Sequence, residues 1–457
     1  MKLTKSKQFN PNYAAKIVEI KQFTPHPNPK CTRLQCCTID GYTIAVSLDT
    51  MPGIYVYFPV ECSITSSYLS ANNLYRDKVK NKNPEQGGFF EDAGRVKIIR
   101  LQGYPSEGFI MPLQSIQTWL VNIGVFAPNV TNLTEVGTEF DSVDDKVLCK
   151  KYEPKIRRAP GTPGTGRNRK TTKHIDKVVD NQFRFHYDTI LIKKCPSVIS
   201  PDDIISITAK VHGTSGISGF VLCKPNLTWK DKIKQFFGIQ IPNKYDYLYS
   251  SRTVIKNKYY NQSVNGGFYG VDVWGYADAA IRPALTAGLT VYYEIIGFLP
   301  NGGYIQKGYD YGYTAPSSPS DYVLNKHFGI QVYRVTYTNP DGIVYEFSAR
   351  QVQQWCKKVG LTPVEEYYYG YAKHLYPKPD DVADEDYGTY FVEQLGKNKI
   401  FNMECLSPTC NNKVPHEGVV IKKENFVSEA FKLKCVKFLE GESKQLDSGE
   451  ADIESES

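Results

Sequence analysis

The chain has 457 residues, a formal net charge of +7 and eleven cysteines. That length allows two or three domains with separate cores, and the mild basic excess suits a polyanionic partner without requiring one. No run approaches the ~18–20 apolar residues of a membrane span, and the N-terminus MKLTKSKQFN has no apolar signal region. An odd number of scattered cysteines is not a secreted disulfide framework, and Cys36, Cys37, Cys405 and Cys410 fit no four-ligand zinc pattern. A cytoplasmic protein with reduced thiols and no membrane partner is expected.

Residues 1–150 alternate short strand-like runs with turns: AKIVEIKQF from Ala15, then RLQCCTI, YTIAVSL, IYVYFP and RVKIIRLQG. Strands at this spacing predict a small barrel or sandwich, interrupted by a long loop with one helical turn between SSYLS and EDAG. Residues 151–180 read as a flexible linker, because PKIRRAPGTPGTGRNRKTTKH is rich in Pro, Gly and Thr, strongly basic and without an acidic residue. Its GTPGTGRN imitates a P-loop, but Arg167 and Asn168 stand where Lys and Ser or Thr are required, and no apolar strand leads into it. From 181 to 440 apolar β-rich runs alternate with polar helical stretches such as SARQVQQWCKKV, which predicts a mixed domain of sheets and helices. Residues 441–457 are acidic and are expected to be a disordered tail.

Chemistry gathers in the second domain. The β-branched run of IISITAKVHGTSGIS reads as a strand that ends at Lys210, and Gly213 and Gly216 let the backbone turn closely around whatever that lysine touches. Downstream, SSRT places Arg252 at a strand end, where its planar fork can clamp a phosphate. VYYEIIGF sets Glu294 among apolar residues, a position that demands pairing, hydrogen bonding or a metal. HFGIQVYRV offers Phe328 and Tyr333 as alternative stacking rings, HEGVVIKK places Glu417 before a strand and Lys422 at its end, and AFKLKCVKF puts Lys432 and Lys434 on one strand face. Each segment alone has an ordinary structural explanation; their order in one domain does not.

In that order the segments resemble the motifs of the covalent nucleotidyltransferases, and among them the chain is similar to ATP-dependent RNA ligases with an RNA ligase 2-like core. KVHGTSG looks like the nucleophile motif, and a histidine two residues after the lysine (here His212) is typical of that branch. GRVKIIRLQGYPSEGFIMPL resembles the N-terminal OB domain that precedes the core in the Deinococcus and Naegleria group. The resemblance implies an α+β protein: an N-terminal OB-like β-barrel, then an adenylation domain of antiparallel sheets with flanking helices. It implies ATP and Mg²⁺ or Mn²⁺ as cofactors, and as partner RNA with 5′-phosphate and 3′-OH ends, a nicked duplex among the candidates, bound by a monomer. Lys210, His212, Lys432 and Lys434 would be catalytic. Ala209, Gly213, Arg252, Glu294, Tyr333, Phe328 and the two late lysines would bind the nucleotide, and Glu417 and Glu294 the metal.

A free lysine has a pKa near ~10.4 and is almost wholly protonated at neutral pH, so neighbouring cations and a metal are expected to raise its reactive fraction. The nearest alternatives are an mRNA-capping guanylyltransferase or a DNA ligase of the same superfamily. Both carry an OB domain after the final lysine motif, whereas the OB-like segment here lies upstream and the stretch after Lys434 turns acidic. The alternative from another class is a non-catalytic OB-containing RNA-binding protein, which would lack the catalytic groups that are present.

Overall fold

A computed structural model describes residues 2–125, 135–153, 177–186, 189–225, 227–256, 269–401, 403–425 and 429–447. The N-terminal half contains β1 (Ala15–Ile20), β2 (Leu34–Ile39), β3 (Tyr42–Ser47), β4 (Gly53–Phe58), β5 (Cys62–Ile64), α1 (Ser66–Ala71), β6 (Phe109–Pro112), α2 (Gln114–Asn122), β7 (Glu139–Phe140) and β8 (Cys149–Lys151). Strands β6-β4-β1-β7 form a four-stranded sheet, β2 and β3 belong to a three-stranded one, and β5 pairs with β8.

Side chains alternate across a strand, so β1 and β4 present Ile17, Val56 and Phe58 to one face and Val18, Tyr55 and Tyr57 to the other. The first face packs on Tyr68, Leu69, Trp119 and Leu120 of α1 and α2, and the second on Cys37, Ile39 and Ile44 of the three-stranded sheet. The expected barrel takes this layered form, and no closed barrel arises among the described residues. Strand alternation is the same whether the covering layer is another strand or a helix, which is why the pattern left both open.

The second half contains β9 (Ile190–Leu191), β10 (Ile204–Lys210), β11 (Thr214–Cys223), α3 (Trp229–Phe236), β12 (Lys244–Ser251), α4 (Val273–Ile281), β13 (Leu289–Gly297), β14 (Phe328–Thr338), β15 (Val344–Glu346), α5 (Ala349–Val359), β16 (Thr362–Pro363), β17 (Glu366–Tyr371), α6 (Tyr387–Lys397), β18 (Gly418–Lys423), β19 (Glu429–Lys434) and α7 (Val436–Asp447). One sheet runs β9-β19-β18-β10-β17; the other runs β12-β11-β13-β14-β15, with β16 beside β14. Among the described residues only β9 and β16 pair in parallel within these sheets.

Each sheet has its apolar core on the outer face. Ile205, Ile207, Val419, Ile421, Phe431 and Leu433 pack with Tyr387, Phe391 and Leu395 of α6. Val291, Tyr293, Ile295, Ile330 and Val332 pack with Val273, Trp274, Ala277, Val352 and Cys356 of α4 and α5. Period-2 alternation then turns Lys210, Lys422, Lys432, Glu294 and Tyr333 the other way, into the space between the sheets.

Two expectations about the ends of the domains change. Most of the predicted linker, 154–176, lies outside the described residues. The predicted disordered tail does not begin at 441: residues 441–447 complete α7, which docks on the N-terminal half. Arg95 donates to Ser443 O at 3.2 Å, to Ser443 Oγ at 3.0 Å and to Asp447 at 3.1 Å, while Lys97 pairs with Asp447 at 3.0 Å and Arg100 with Glu440 at 2.6 Å. Within this part of the predicted tail Asp447 is neutralised by Arg95 and Lys97 and Glu442 by Lys434, while 448–457 lie outside the described residues. All eleven cysteines are free thiols, and no helix among the described residues is long and apolar enough to cross a membrane.

Candidate active site

Antiparallel pairing of β10 with β18 sets Lys210 opposite Gly418, which brings the preceding Glu417 beside the lysine. Lys210 Nζ lies 2.6 Å from Glu417 Oε1, and His212 Nδ1 lies 3.6 Å from Oε2. Glu417 is only 2% exposed. Burial alone would raise its pKa, but Lys210, His212 and Lys434 hold it down to about 2.

The turn after Lys210 is fixed on several sides. The Tyr311 hydroxyl accepts from His212 N–H at 2.8 Å and donates to His212 O at 3.2 Å. The His212 ring sits edge-on to Tyr309 and Phe438, with centroids 4.8 and 4.9 Å away. Gln306 donates to Gly213 O at 2.7 Å. A Cβ on Gly213 would lie 2.3 Å from Ile295 O and 2.8 Å from Glu294 Cγ, so only glycine lets this turn meet β13.

Between the sheets is a cavity with about 150 Å³ of water-accessible space. Ala209, Lys210, Gly213, Arg252, Glu294, Tyr333 and Lys432 all line it, with Val352, Val364 and Val420 as apolar wall. The Tyr333 hydroxyl is 3.0 Å from Ser215 Oγ and 3.3 Å from His186 Nδ1, which fixes the ring at the cavity edge.

Phe328 does not join them. It is 2% exposed in the core behind the sheet, stacked on Tyr322 at 4.5 Å. It shares its strand face with Ile330 and Val332, opposite Tyr333. Of the two rings proposed for stacking, only Tyr333 faces the cavity.

Lys434 lies one step further along, in a second cavity of about 290 Å³ where the N-terminal half meets the two-sheet half. Arg252 and Lys432 line both cavities. Lys434 Nζ is 3.0 Å from Glu442 Oε1 on α7, and Lys193 is 2.7 Å from Glu107 across the same space.

No family model matches the chain, and no curated protein does. Among solved structures, a lysine-to-alanine mutant of Naegleria gruberi RNA ligase with ATP and Mn aligns with a TM-score of 0.50 and 14% identity, over 95% of this chain and 99% of that chain. The same ligase with pyrophosphate aligns with a TM-score of 0.51 and 15% identity, over 94% and 98% of the two chains. This chain has an RNA ligase-like fold. The alignment spans both halves, so the order of an N-terminal β-rich unit followed by a two-sheet unit belongs to the shared fold.

Within that fold, several neighbours of the cavity were not singled out in the sequence. Glu346 pairs with Arg334 at 2.8 Å and with Lys422 at 3.2 Å, and Lys422 also donates to Phe347 O at 2.8 Å. Lys422 and Arg334 are thereby held as wall. Tyr309, Tyr311, Gln306 and His186 lie in stretches without a chemical pattern; an abundance of tyrosine, 33 in all, was the only hint.

No cluster of three or more His, Cys, Asp or Glu able to hold a metal occurs among the described residues. Glu417 is nonetheless a buried, ionised hard-oxygen donor, which fits Mg²⁺ or Mn²⁺ held mostly by water and phosphate oxygens. Glu417 lies behind Lys210, whereas Glu294 lines the cavity itself.

The depressed carboxyl of Glu417 makes stability pH-dependent. Its contribution is complete above the unfolded value of 4.5 and is lost as pH falls toward about 2. That interval corresponds to roughly 3 kcal/mol. Denaturant titrations of wild type and Glu417→Gln should therefore differ most above pH 5 and converge toward pH 2. A constant difference across that range would reject the assignment.

Proposed function

We propose that this protein is an ATP-dependent RNA ligase that joins 3′-OH and 5′-phosphate ends through a lysyl-AMP intermediate. The observation that carries the reading is Lys210 held against a buried carboxylate at a cavity lined by Arg252, Glu294, Tyr333 and Lys432. These are the groups a nucleotide needs: a ring to stack on, a carboxylate for a ribose hydroxyl, cations for phosphate oxygens and an amine to attack phosphorus.

In the first step the neutral Lys210 amine attacks the α-phosphorus of ATP, the bond to the β-phosphate oxygen breaks, and pyrophosphate leaves. The carboxylate at 2.6 Å favours the ammonium, so the resting pair must loosen before attack. A divalent cation bound through Glu417 would supply charge neutralisation at the phosphate oxygens. Lys432 offsets negative charge from the same side.

In the second step an oxygen of the RNA 5′-phosphate attacks the adenylate phosphorus and the lysine nitrogen leaves. In the third the 3′-hydroxyl oxygen attacks the 5′-phosphorus and AMP departs. His212, fixed by Tyr309, Tyr311 and Phe438 and 3.6 Å from Glu417, is assigned in this reading to orienting phosphate in these later steps. The N-terminal half, an OB-like unit in this reading, and the basic stretch after it supply the RNA surface, with the protein acting as a monomer on RNA.

Tyr333 separates stacking from hydrogen bonding. Tyr333→Ala should raise the KM for ATP about tenfold or more, and Tyr333→Phe only about threefold, since the ring remains. Equal effects would assign the contribution to the hydroxyl.

The test of the whole reading is incubation with α-labelled ATP or GTP and Mg²⁺ or Mn²⁺, followed by a panel of nicked and single-stranded RNAs. Labelling by ATP and sealing that requires both a 5′-phosphate and a 3′-OH are expected. Labelling by GTP alone would point to a capping enzyme, and RNA binding without any adduct to a non-catalytic protein.

A further inference from the structure

The hairpin of β11 and β12 carries Ser215 and Arg252 at its cavity end, and α3 lies in the connection at the other end, beyond the pair Cys223 and Lys244. Along a ten-residue strand that is on the order of 30 Å from the cavity. α3 is built by its own sequence. Thr228 and Asp231 form a reciprocal capping box, and no residue of the helix is buried.

Its apolar side chains nevertheless form a stripe. Phe236 and Phe237 are 85% and 74% exposed, and Trp229, Ile233 and Ile239 are exposed as well. At about 100° per residue, Trp229, Ile233, Phe236 and Phe237 fall within an arc about 100° wide. Lys230 and Lys234 lie beyond one edge of that arc and Lys232 beyond the other, with Asp231 spent on the cap. Lys224 and Lys244 flank the connection.

We propose that α3 and the turn after it dock on an anionic membrane surface. Lysines bordering an apolar stripe suit a helix lying in the headgroup region, with the stripe toward the acyl chains and the ammonium groups at the phosphates. The sequence expectation of no membrane partner rested on the absence of a spanning run, which an interfacial helix does not need.

Two other occupants fit less well. RNA would stack on the aromatic rings, but Ile233 and Ile239 have no π-face, and the site is remote from the cavity. A second copy would have to use the same patch on both partners, bringing the lysines of one against those of the other. Five side chains also offer on the order of 600 Å², below the ~800 Å² per partner of a standard interface.

The experiment is flotation of the full-length protein, without ATP or RNA, with vesicles of phosphatidylcholine alone or with phosphatidylserine added. Binding to the anionic vesicles should be stronger by about tenfold or more and be released by high salt. Trp229 emission should shift to the blue, since Trp119 and Trp274 are buried and Trp355 is half-buried against the core; the shift should be absent from a Trp229→Phe variant. A Phe236→Asp, Phe237→Asp double variant and a Lys230→Glu, Lys232→Glu, Lys234→Glu triple variant should each lose at least about tenfold in binding. Both should keep wild-type labelling by ATP, which shows that they fold.

Absence of binding by the wild type, or equal binding by the variants, overturns the proposal. So does a loss of RNA affinity in the variants without vesicle binding by the wild type, which would make the patch a nucleic-acid surface. A wild-type dimer that the phenylalanine variant dissolves would instead make it a self-association surface.

Discussion

Lys210→Ala should abolish covalent labelling of the protein by ATP, a loss of at least about a thousandfold in adduct formation. Of the two other lysines that line the cavity, Lys432 sits on β19 and Lys422 is tied to Glu346 and to a backbone carbonyl, so Lys422 is in no position to substitute. The same change should destabilise the fold, because Glu417 is buried and loses the cation 2.6 Å away. Removing one partner of a buried pair costs about 3–5 kcal/mol, and the cost here should sit near the lower figure because His212 and Lys434 remain nearby. Lys210→Arg separates the two effects. A guanidinium keeps the countercharge but stays protonated and does not attack phosphorus. The Arg variant should melt close to wild type and remain unlabelled; adduct on either variant would reject Lys210 as the nucleophile.

Arg95→Ala should be the most damaging substitution away from the cavity, at about 3–5 kcal/mol. Its side chain is 1% exposed and makes a two-pronged contact with Glu61 at 2.7 and 2.8 Å, besides the bonds to Ser443 and Asp447 on α7. The guanidinium also lies 4.8 Å above the Tyr152 ring. Alanine would leave Glu61 with only the Ser443 hydroxyl at 2.9 Å. Against a typical net stability of about 5–15 kcal/mol, that loss is a large share. Activity should suffer too, since α7 carries Glu442 to Lys434 and Phe438 to His212. Arg95→Lys keeps the charge without the fork and should fall between. Urea denaturation followed by circular dichroism, with adduct formation in parallel, would check this; a wild-type midpoint for Arg95→Ala would show that the latch contributes little.

The contrast between these two sites shows what the sequence made legible. Lys210, Arg252, Glu294 and Lys432 sit in short patterns whose alternation and turns are local, and the structure brings them to one cavity. The choice between Phe328 and Tyr333 was also locally decidable. Once Ile330 and Val332 are core, strand periodicity sends Phe328 with them and Tyr333 to the opposite face.

The partner of Glu417 was not legible, because the register of β10 against β18 pairs segments some two hundred residues apart. The fate of residues 441–447 failed for the same reason. Composition reports a segment's own charge, not the basic side chains at 95 and 97 that receive it.

The bond between Arg95 and Ser443 spans 348 residues. At a synthesis rate of about 5–20 residues per second, roughly 20–70 s pass between the emergence of the arginine and that of its acceptors. Through that interval the N-terminal half holds its arginine with the shell unfinished. The helix that completes the shell also delivers Phe438 to His212 and Glu442 to Lys434. Nascent chains halted before α7 should therefore be both protease-sensitive around Arg95 and unable to take up AMP, so that maturation of the two halves is a single late event.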